Sequence, residues 1–468
     1  MYVIFERGFR DSMNNKLRDY IYESIKGHDA RHIELRIDEN RSSHIRYRGR
    51  DLEEMNRTTT GGGCIRALTH GGWGFVSFND LSNLREKVRM AIRNSQLVGG
   101  DPVTLAPVHP VVDSISTNVQ KDPSKISLKN KKELLDQYVE QIWSVKGISS
   151  SSVGYGDAKR NRIFASSEGS YIEQTTLDIM LRLNAVARDG GEVQQSGVSL
   201  GAAGDFSEIE SLHEQARNVG LRAVELLKAP QVKGGEYTVV LEPVLAGVFI
   251  HEAFGHLSEA DHVYEDERMK EIMVIGKRFG ENHLNVVDGA AVPNLRGSYA
   301  YDDEGVPSTR SYLLKDGVLV GRLHSRETAK KMGEPTTGNA RAIGHQFPPI
   351  VRMTNTFIEG GSYSPADIIA DVKDGLYVSN WYGGMTSMEQ FTFSAGEAWV
   401  IKNGQVTELR RPVLLTGNLF TTLASLDGVA DDLSMNQGGG CGKGGQSPLP
   451  VSNGSPHIRI QRCLIGGT

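Results

Sequence analysis

The stretch PVLAGVFIHEAFGH, residues 243–256, decides how this sequence is interpreted. Proline suits the first turn of a helix, and the residues from Val244 to Ile250 are apolar on nearly every side of that helix, which predicts a position in a core. His251, Glu252 and His256 stand at its end. Such polar groups are unfavourable in a core unless they are paired or bound to a metal. The stretch therefore predicts a buried helix that ends in a metal site.

The spacing of the two histidines makes a specific structural prediction. H-E-x-x-x-H is one residue longer than the H-E-x-x-H of zinc peptidases, in which two neutral imidazoles hold the metal and a carboxylate takes a proton from metal-bound water. Side chains five residues apart diverge by roughly 140° on an ideal helix. Because Gly255 tolerates a distorted turn, we predict a π-type bulge or an irregular turn around Phe254 and Gly255. A straight helix with diverging imidazoles would exclude a shared metal.

A zinc site needs at least one further protein ligand. Cys441 stands out because glycines on both sides of it (GGGCGKGG, residues 438–445) let a backbone fold closely around an ion. By spacing alone, a flexible loop with a bystander thiol is the alternative. The remaining candidates are His262, Glu259, Asp261, His345, His457, Cys64 and Cys463. The last two lie in strand-like contexts, where cysteine is usually a small buried hydrophobe.

Composition restricts the class of protein. The chain has 468 residues, which suggests two or three domains. The formal net charge of −5 argues against direct contact with nucleic acid or an anionic membrane. Three cysteines make no disulfide framework, so we expect a reducing, cytoplasmic setting. Residues 1–10 lack the apolar core of a secretory signal, and no apolar stretch approaches the ~20 residues of a membrane helix.

The pattern along the chain predicts an α+β protein. Residues 1–225 are expected to form an N-terminal α/β domain with an antiparallel sheet, and residues 226–468 a β-rich domain that carries the helix with the motif. In the first part we expect helices over 11–26, 133–145 and 207–227, separate strands over 32–38 and 45–48, and an antiparallel meander over 149–202. The polar residues 118–132 are expected to form a surface connection.

Other motifs carry weaker signals. Gly197–Gly201 matches G-x-S-x-G, but no apolar strand precedes it and no helix follows it, which argues against a serine hydrolase. Gly442-Lys443 lacks the other residues of a phosphate-binding loop. The acidic run 301–305 is interpreted as a solvated turn rather than a cation site. Arg341 and Arg352 are interpreted as partners of acids rather than of a peptide carboxylate.

Taken in order, several motifs give the chain a family resemblance that covers most of its length. They are His251–His256, Asp302–Gly305, Gly338–Arg341, Arg352–Asn355, Glu397 within 395–401, and Cys441–Lys443 with Gly445-Gln446. With them the chain resembles the TldD/PmbA family of metallopeptidases, once described as modulators of DNA gyrase. TldD-like chains keep H-E-x-x-x-H and TldE/PmbA-like chains have lost it, so this sequence resembles the catalytic, TldD-like branch.

The resemblance implies a ligand set, a fold and a partner. It assigns His251, His256 and Cys441 to one zinc ion and Glu252 to the general base. The implied fold has an antiparallel sheet in the N-terminal α/β domain and a barrel-like C-terminal domain. The implied assembly is a homodimer or a heterodimer with a TldE/PmbA-like subunit. We expect peptide hydrolysis, with short or unfolded peptides entering as an added strand. The alternatives are a catalytically silent metal-bound scaffold or partner subunit, against which the intact Glu252 argues, and a regulator of a topoisomerase or nucleic acid.

Overall fold

The computed structural model describes residues 7–99, 102–387 and 389–466, so residues 1–6 of the segment considered for a secretory signal lie outside it. The fold is α+β, as predicted. The helices before residue 230 are α1 (Arg7–Ile25), α2 (Leu84–Leu97), α3 (Leu128–Trp143) and α4 (His213–Lys228). The strands before residue 230 are β1 (His32–Arg48), β2 (Asp51–Thr69), β3 (Gly72–Phe78), β4 (Val112–Ser116), β5 (Ile148–Ser166), β6 (Tyr171–Asp189) and β7 (Glu192–Ala202). Short 3₁₀ turns cover Pro123–Lys125 and Phe206–Ile209.

These strands form one twisted sheet in the order β3-β2-β1-β5-β6-β4, and β7 pairs with the other end of β6. The pairing is antiparallel except between β4 and β6. The predicted meander is confirmed as β5-β6-β7. Two other expectations were wrong. β1 is a single strand from residue 32 to residue 48, because its polar middle pairs with β2 and β5 throughout. The supposed surface connection holds the first turn of α3, where buried Lys131 lies 2.5 Å from Asp157.

The alternation of apolar and polar side chains along β1 explains why four helices cover this sheet. Ile33 and Leu35 at one end pack beneath α1 and α2, and Ile45 and Tyr47 at the other end pack beneath α3 and α4. These residues share one parity and so one face of the strand. The two apolar patches are therefore buried by two separate helix pairs on the same side of the sheet.

The opposite face of the same strand is charged yet also buried. Glu34 and Arg36 are 2% and 1% exposed and face the C-terminal half. There Arg36 lies 3.2 Å from Asp303, and Arg66 of β2 bonds both Glu34 and Glu304. Buried pairs of this kind fix one register more than they add stability. The sheet is thus clamped to the C-terminal half through ion pairs.

The C-terminal half is rich in short strands. Its strands are β8 (Gly235–Leu241), β9 (Val286–Asp288), β10 (Ser311–Lys315), β11 (Val318–Leu319), β12 (Ala340–Arg341), β13 (Ile350–Val351), β14 (Asn355–Ile358), β15 (Asp374–Ser387), β16 (Gln390–Lys402), β17 (Gln405–Arg410), β18 (Val413–Asn418), β19 (Leu426–Val429), β20 (Ser434–Asn436), β21 (Gly440–Lys443), β22 (Gln446–Pro450), β23 (Ser452–Ser455) and β24 (Ile458–Gly466). Its helices are α5 (Pro243–Ile250), α6 (Ala260–Glu265), α7 (Glu267–Ile272), α8 (Arg326–Met332), α9 (Pro365–Ala370) and α10 (Leu419–Ala424).

A closed five-stranded barrel organises this half. Strands β15, β8, β24, β18 and β16 pair in that order, and β16 pairs back with β15. A second sheet runs β11-β10-β9-β14-β23-β20. α5 lies between the two: Phe249 packs edge-to-face on Phe391 and Phe393 of the barrel, and Gly247 abuts β23, where a β-carbon would meet Gly454 N at 2.9 Å. The barrel-like expectation is confirmed, and the motif helix is in the core.

The two halves have separate cores. Two clusters of buried apolar residues lie wholly after residue 230, and two others lie wholly before it. The predicted domain boundary near residue 225 falls within α4, and the division at that point stays a prediction. None of the helices in the described ranges is long and apolar enough to cross a membrane.

Candidate metal centre

The helix that carries the motif is fixed at its start by Glu242. The carboxylate of Glu242 accepts hydrogen bonds from the backbone N–H groups of Val244 and Leu245, and Pro243 occupies the first turn. α5 then passes into a π turn over His251–Gly255, in which the N–H of His256 donates to the carbonyl of His251. The predicted π-type distortion is confirmed. Its extra residue per turn brings side chains five apart toward one side of the helix.

Gly255 is needed for a reason other than the one predicted. Its φ of −58° is an ordinary helical value, so the turn makes no demand on glycine's conformational freedom. A β-carbon at this position would lie 2.0 Å from the sulfur of Met353. The absence of a side chain thus lets Met353 pack directly against the backbone of the motif.

The structure brings His251, His256 and Cys441 together. One ligand atom from each lies within 4.8 Å of the others, and Cys441 Sγ is 3.6 Å from Nε2 of His256. The imidazole rings are 5.5 Å apart between centroids and nearly perpendicular. Among the described residues this is the one group of three or more His, Cys, Asp or Glu side chains with such spacing. The assignment of these residues as ligands stays a prediction.

Cys441 joins the cluster from a segment far along the sequence from the two histidines. It lies on β21, which forms a hairpin with β22, and the guanidinium of Arg352 donates to the carbonyl oxygens of Cys441 and Gln446. Arg352 is fully buried. It therefore binds backbone rather than the acid predicted as its partner, and it fixes the hairpin that presents the thiol. Sequence reasoning missed this role because backbone acceptors leave no pattern in a sequence.

The electrostatics of the cluster favour a thiolate at Cys441. Burial raises the pKa of the Cys441 thiol, but hydrogen bonds and charges from His251 and His256 lower it to about 5. Burial lowers the pKa of His256, but Cys441 and Glu259 raise it to about 11. Nδ1 of His251 is buried without a hydrogen-bond partner. A soft thiolate and two imidazoles, one of which carries the orphaned nitrogen, are a donor set that zinc prefers, so these residues fit the ion.

Glu259 supports the cluster from behind. It was a candidate ligand, but its fully buried carboxylate lies 3.1 Å from Nδ1 of His256 and 3.2 Å from Nζ of Lys443. Lys443 also bonds Asp261 and the carbonyl of Val351. Hydrogen bonding of a ligand's second nitrogen to a carboxylate orients the imidazole and raises its basicity. The Lys443 of the failed phosphate-loop match thus holds Glu259 in place.

The other candidate ligands are elsewhere or are engaged by different partners. His262 is 4.0 Å from Glu259, His345 faces Asn79, and His457 bonds Asp432. Burial raises the pKa of the Cys463 thiol to about 12. Cys64 accepts a bond from Arg36 at 3.3 Å.

Glu252 stands beside the cluster and is accessible. Its side chain is 26% exposed, and its Oε2 lies 4.0 Å from Nε2 of His256, the nitrogen that faces Cys441. Both Glu252 and His251 line a cleft of about 800 Å³ between the two halves of the chain. A carboxylate at this distance can exchange a proton with a water molecule held at the cluster.

β7 forms one wall of this cleft. Ser199 Oγ donates to the carbonyl of Gly438 next to the β21 hairpin. Farther along, Asn380 Nδ2 of β15 donates to the carbonyl of Gly197. The G-x-S-x-G stretch is thus part of a strand whose hydroxyl serves as a backbone anchor. β7 pairs with β6 along one edge, and the carbonyls of Gln195 and Gly197 accept hydrogen bonds from Tyr382 and Asn380 of β15.

The acidic run 301–305 is a turn, as interpreted, but it is buried rather than solvated. Asp302 accepts bonds from the backbone N–H groups of Glu304, Val306 and Ala340. Asp303 bonds Arg162 as well as Arg36. Arg341 donates to the carbonyls of Met353 and Pro450, so its predicted acidic partner was wrong. The turn anchors the N-terminal sheet and belongs to the scaffold of the site.

Comparisons with known proteins find matches over most of the chain. Family models of PmbA/TldA metallopeptidase domain 1, central domain and C-terminal domain match residues 33–95, 121–229 and 234–467. A metalloprotease of Synechocystis is 44% identical over 93% of this chain and 94% of its own length. A metalloprotease of Methanothermobacter thermautotrophicus is 37% identical over 93% and 96%. A zinc metalloprotease TldD homolog of Saccharolobus solfataricus is 30% identical over 89% and 92%.

Solved structures share the fold at low identity. A Thermotoga maritima protein, described as a candidate modulator of a DNA gyrase, has a TM-score of 0.79 at 19% identity and covers 98% of this chain and 100% of its own. TldE from Thermococcus kodakarensis has a TM-score of 0.75 at 17% identity and covers 97% and 100%. At such identities the likeness supports the fold alone.

Proposed function

Because this chain belongs to the PmbA/TldD family of metallopeptidases, we propose that it is a zinc-dependent enzyme of the TldD-like branch that hydrolyses peptide bonds in short or unfolded peptides. His251, His256 and Cys441 would hold the ion. Zinc bound there would supply Lewis-acid chemistry for peptide hydrolysis. The proposal extends the names of the relatives, one of which specifies zinc, to the chemistry of this site.

Different residues of the protein have different roles in the proposed reaction. Glu252 takes the proton from the attacking water and passes it to the departing amine. Glu259 orients His256 through Nδ1, and Arg352 holds the backbone of Cys441. This division leaves one mobile proton carrier, Glu252, at the open side of the cluster.

A single observation carries the proposal. The carboxylate of Glu252 lies 4.0 Å from the ligand nitrogen of His256 while remaining exposed to the cleft. In a scaffold without activity the cluster would need no accessible carboxylate on its open side. The cleft runs along β7, which suits a peptide bound in an extended conformation. A folded protein would have to unfold to enter it.

The setting of the enzyme is part of the proposal. We infer a cytoplasmic protein that works as a homodimer or with a TldE/PmbA-like subunit. Sedimentation of the purified chain, alone and with such a subunit, decides between these assemblies.

The test measures metal content and cleavage on the same samples. Wild type should hold about one zinc per chain and cleave short unstructured peptides. Glu252→Gln should keep the metal and lose cleavage, by on the order of 10²–10⁴-fold for a general base. Cys441→Ala should lose most of the metal, whereas Cys463→Ala, which changes a buried thiol in the barrel, should keep it. Full cleavage by Glu252→Gln would refute the assignment of the base. Absence of zinc after reconstitution would support the silent scaffold.

A further inference from the structure

The cleft beside the cluster has a second polar end, where α5 begins. The cleft is lined along one face of α5 and the π turn by Val244, Val248, His251 and Glu252. These positions recur at helical spacing, so they form a continuous floor. His251 follows Glu242 by nine residues, which at the helical rise places the two ends roughly 13 Å apart. Residues at this second end can therefore contact a substrate that is bound at the cluster.

Glu397 is the carboxylate that this second end presents. It lies on β16 opposite Ser379 of β15, with 14% of its side chain exposed. Its Oε2 accepts no hydrogen bond, although Arg222 Nε is 2.8 Å away. Burial raises the pKa of Glu397, and Arg222 and Ser379 oppose this only in part. A carboxylate with incomplete compensation is stabilised by a further cation.

Arg222 cannot supply that compensation alone. Its guanidinium also pairs with Glu225 at 2.9 Å and lies over the ring of Trp399. Glu242 adds a third carboxylate, already occupied by the N–H groups of Val244, Leu245 and Asn380. Among the described residues that line this end, three carboxylates thus face one guanidinium. The end carries a net negative charge.

Tyr377 adds an oriented oxygen next to Glu397. Asp432 Oδ2 lies 2.7 Å from Nδ1 of His457, which places the proton of a neutral imidazole on Nδ1. Nε2 of His457 then accepts the hydroxyl proton of Tyr377, 3.1 Å away. The Tyr377 oxygen consequently offers lone pairs to the cleft it lines. Glu397 and Tyr377 thus place acceptor oxygens at this end of the cleft, where Arg222 Nε is the charged donor nearest to Glu397.

We propose that these acceptor oxygens bind the α-ammonium group of the substrate, so that the enzyme acts on peptides with a free amino end. An ammonium group supplies the positive charge and the N–H donors that Glu397 and Tyr377 lack. An extended peptide advances about 3.3 Å per residue, so the roughly 13 Å floor admits three to four residues before the bond at the cluster. The released amino-terminal fragment has that length. This inference rests on the proposed peptidase function.

The competing assignment is a carboxy-terminal anchor at Arg222. It is disfavoured because both carboxylate partners of Arg222 are already within 3 Å and an incoming carboxylate would meet the excess negative charge of this end. A carboxy-terminal anchor predicts that amidation of the carboxyl end weakens peptide binding and that acetylation of the amino end does not. The two assignments are therefore separated by one binding comparison.

Binding is measured on zinc-loaded Glu252→Gln by calorimetry, so that no cleavage interferes. The probe is a seven-residue peptide of alanine and leucine, free at both ends, acetylated at the amino end, or amidated at the carboxyl end. Acetylation should weaken binding at least tenfold and amidation should change it less than threefold. Adding Glu397→Gln should abolish the preference for the free amine. The matched change Glu408→Gln, at an exposed carboxylate paired with Arg410, should preserve it.

Mass spectrometry of the products made by the wild type supplies the second readout. The first cut should release three to four residues, and lengthening the peptide at its carboxyl end should leave that cut in place. Equal binding of free and acetylated peptides, no binding of either, or a loss on amidation instead would overturn the inference. Cleavage of acetylated peptides at normal rates would refute the amino-end anchor and leave the peptidase function standing. A zinc-loaded wild type that cleaves no peptide would refute the function.

Discussion

His256 and Glu259 form a buried carboxylate–imidazole pair, with 3.1 Å between Nδ1 and Oε2, on the side of the ring that faces away from Cys441. The pair fixes which nitrogen of His256 faces the cluster, because a ring nitrogen bonded to a carboxylate carries the proton. Glu259 is itself fixed by Lys443. The orientation of one proposed ligand thus depends on residues that donate nothing to the cluster itself.

Replacing Glu259 with glutamine should weaken zinc binding. Loss of a carboxylate partner behind a metal-binding histidine typically reduces affinity 10–100-fold, and we expect a value in that range. Competition with a chromogenic chelator measures the affinity directly. Glu267→Gln, which changes an exposed carboxylate on α7, is the matched control and should leave it unchanged. Unaltered affinity in Glu259→Gln would show that Glu259 serves only to pair with Lys443.

Gly255→Ala should destabilise the protein through Met353. The added methyl group would lie 2.0 Å from the Met353 sulfur, and overpacking of a core typically lowers the free energy of unfolding by about 1–3 kcal/mol. Shortening the partner in Gly255→Ala/Met353→Ala should recover part of that loss, a coupling that chemical denaturation of the four variants measures.

The control for this cycle is Gly154→Ala, whose β-carbon would meet no atom within 4 Å. It should change the free energy of unfolding by less than the Gly255 substitution. Additive effects of the two changes at Gly255 and Met353 would contradict the contact as the cause.

Glu34 should make stability depend on pH in the acid range. Burial raises the pKa of Glu34, but Arg66 and His32 lower it to about 2, against 4.5 for the free side chain. A depressed pKa contributes stability that is present above pH 4.5 and is lost as the pH falls toward 2. The contribution is on the order of 3 kcal/mol from the size of the shift. Urea denaturation at a series of pH values measures it.

Glu34→Gln separates this group from other carboxylates. Its free energy of unfolding should be lower than that of the wild type at pH 7, and the two should converge as the pH falls to about 2. Glu133→Gln, at an exposed residue of α3, should follow the wild-type curve. A constant difference between Glu34→Gln and the wild type at every pH would exclude titration of Glu34 as the source.

Asp303→Asn should loosen the contact between the two halves of the chain. Asp303 is the buried partner of Arg36 and Arg162, and breaking a buried ion pair from one side typically costs about 3–5 kcal/mol. We expect a lower melting temperature and faster hydrogen exchange in β1 and β5. Asp371→Asn, at a carboxylate that is 74% exposed, is the control. A melting temperature equal to that of the wild type would show that the arginines find other partners.

The sequence predicted local chemistry better than long-range geometry. The π turn followed from the five-residue separation of His251 and His256, because helical spacing is a local property. Cys441 could be named only as one candidate from its glycine flanks, since 185 residues separate it from His256. The continuity of β1 was missed because its polar middle breaks the apolar alternation on which strand prediction depends.

Other errors came from contacts that no pattern encodes. Lys131 was placed on the surface by its polarity, but Asp157 pairs with it in the core. Gly255 was correctly singled out for the wrong reason, because Met353 is distant in sequence and its approach leaves no trace near the motif. Arg341 and Arg352 bind carbonyl oxygens, and every residue type offers a carbonyl.

The separation between α5 and the β21 hairpin also has a consequence for the order of events during synthesis. A nascent chain presents His251 and His256 long before the segment with Cys441 has been made, and the barrel that supports α5 closes only when β24 pairs with β8. Until then the two imidazoles lack the Cys441 thiol beside them. On the proposed function, the catalytic site is therefore completed only after nearly all of the chain, itself an accessible substrate while unfolded, has been synthesised.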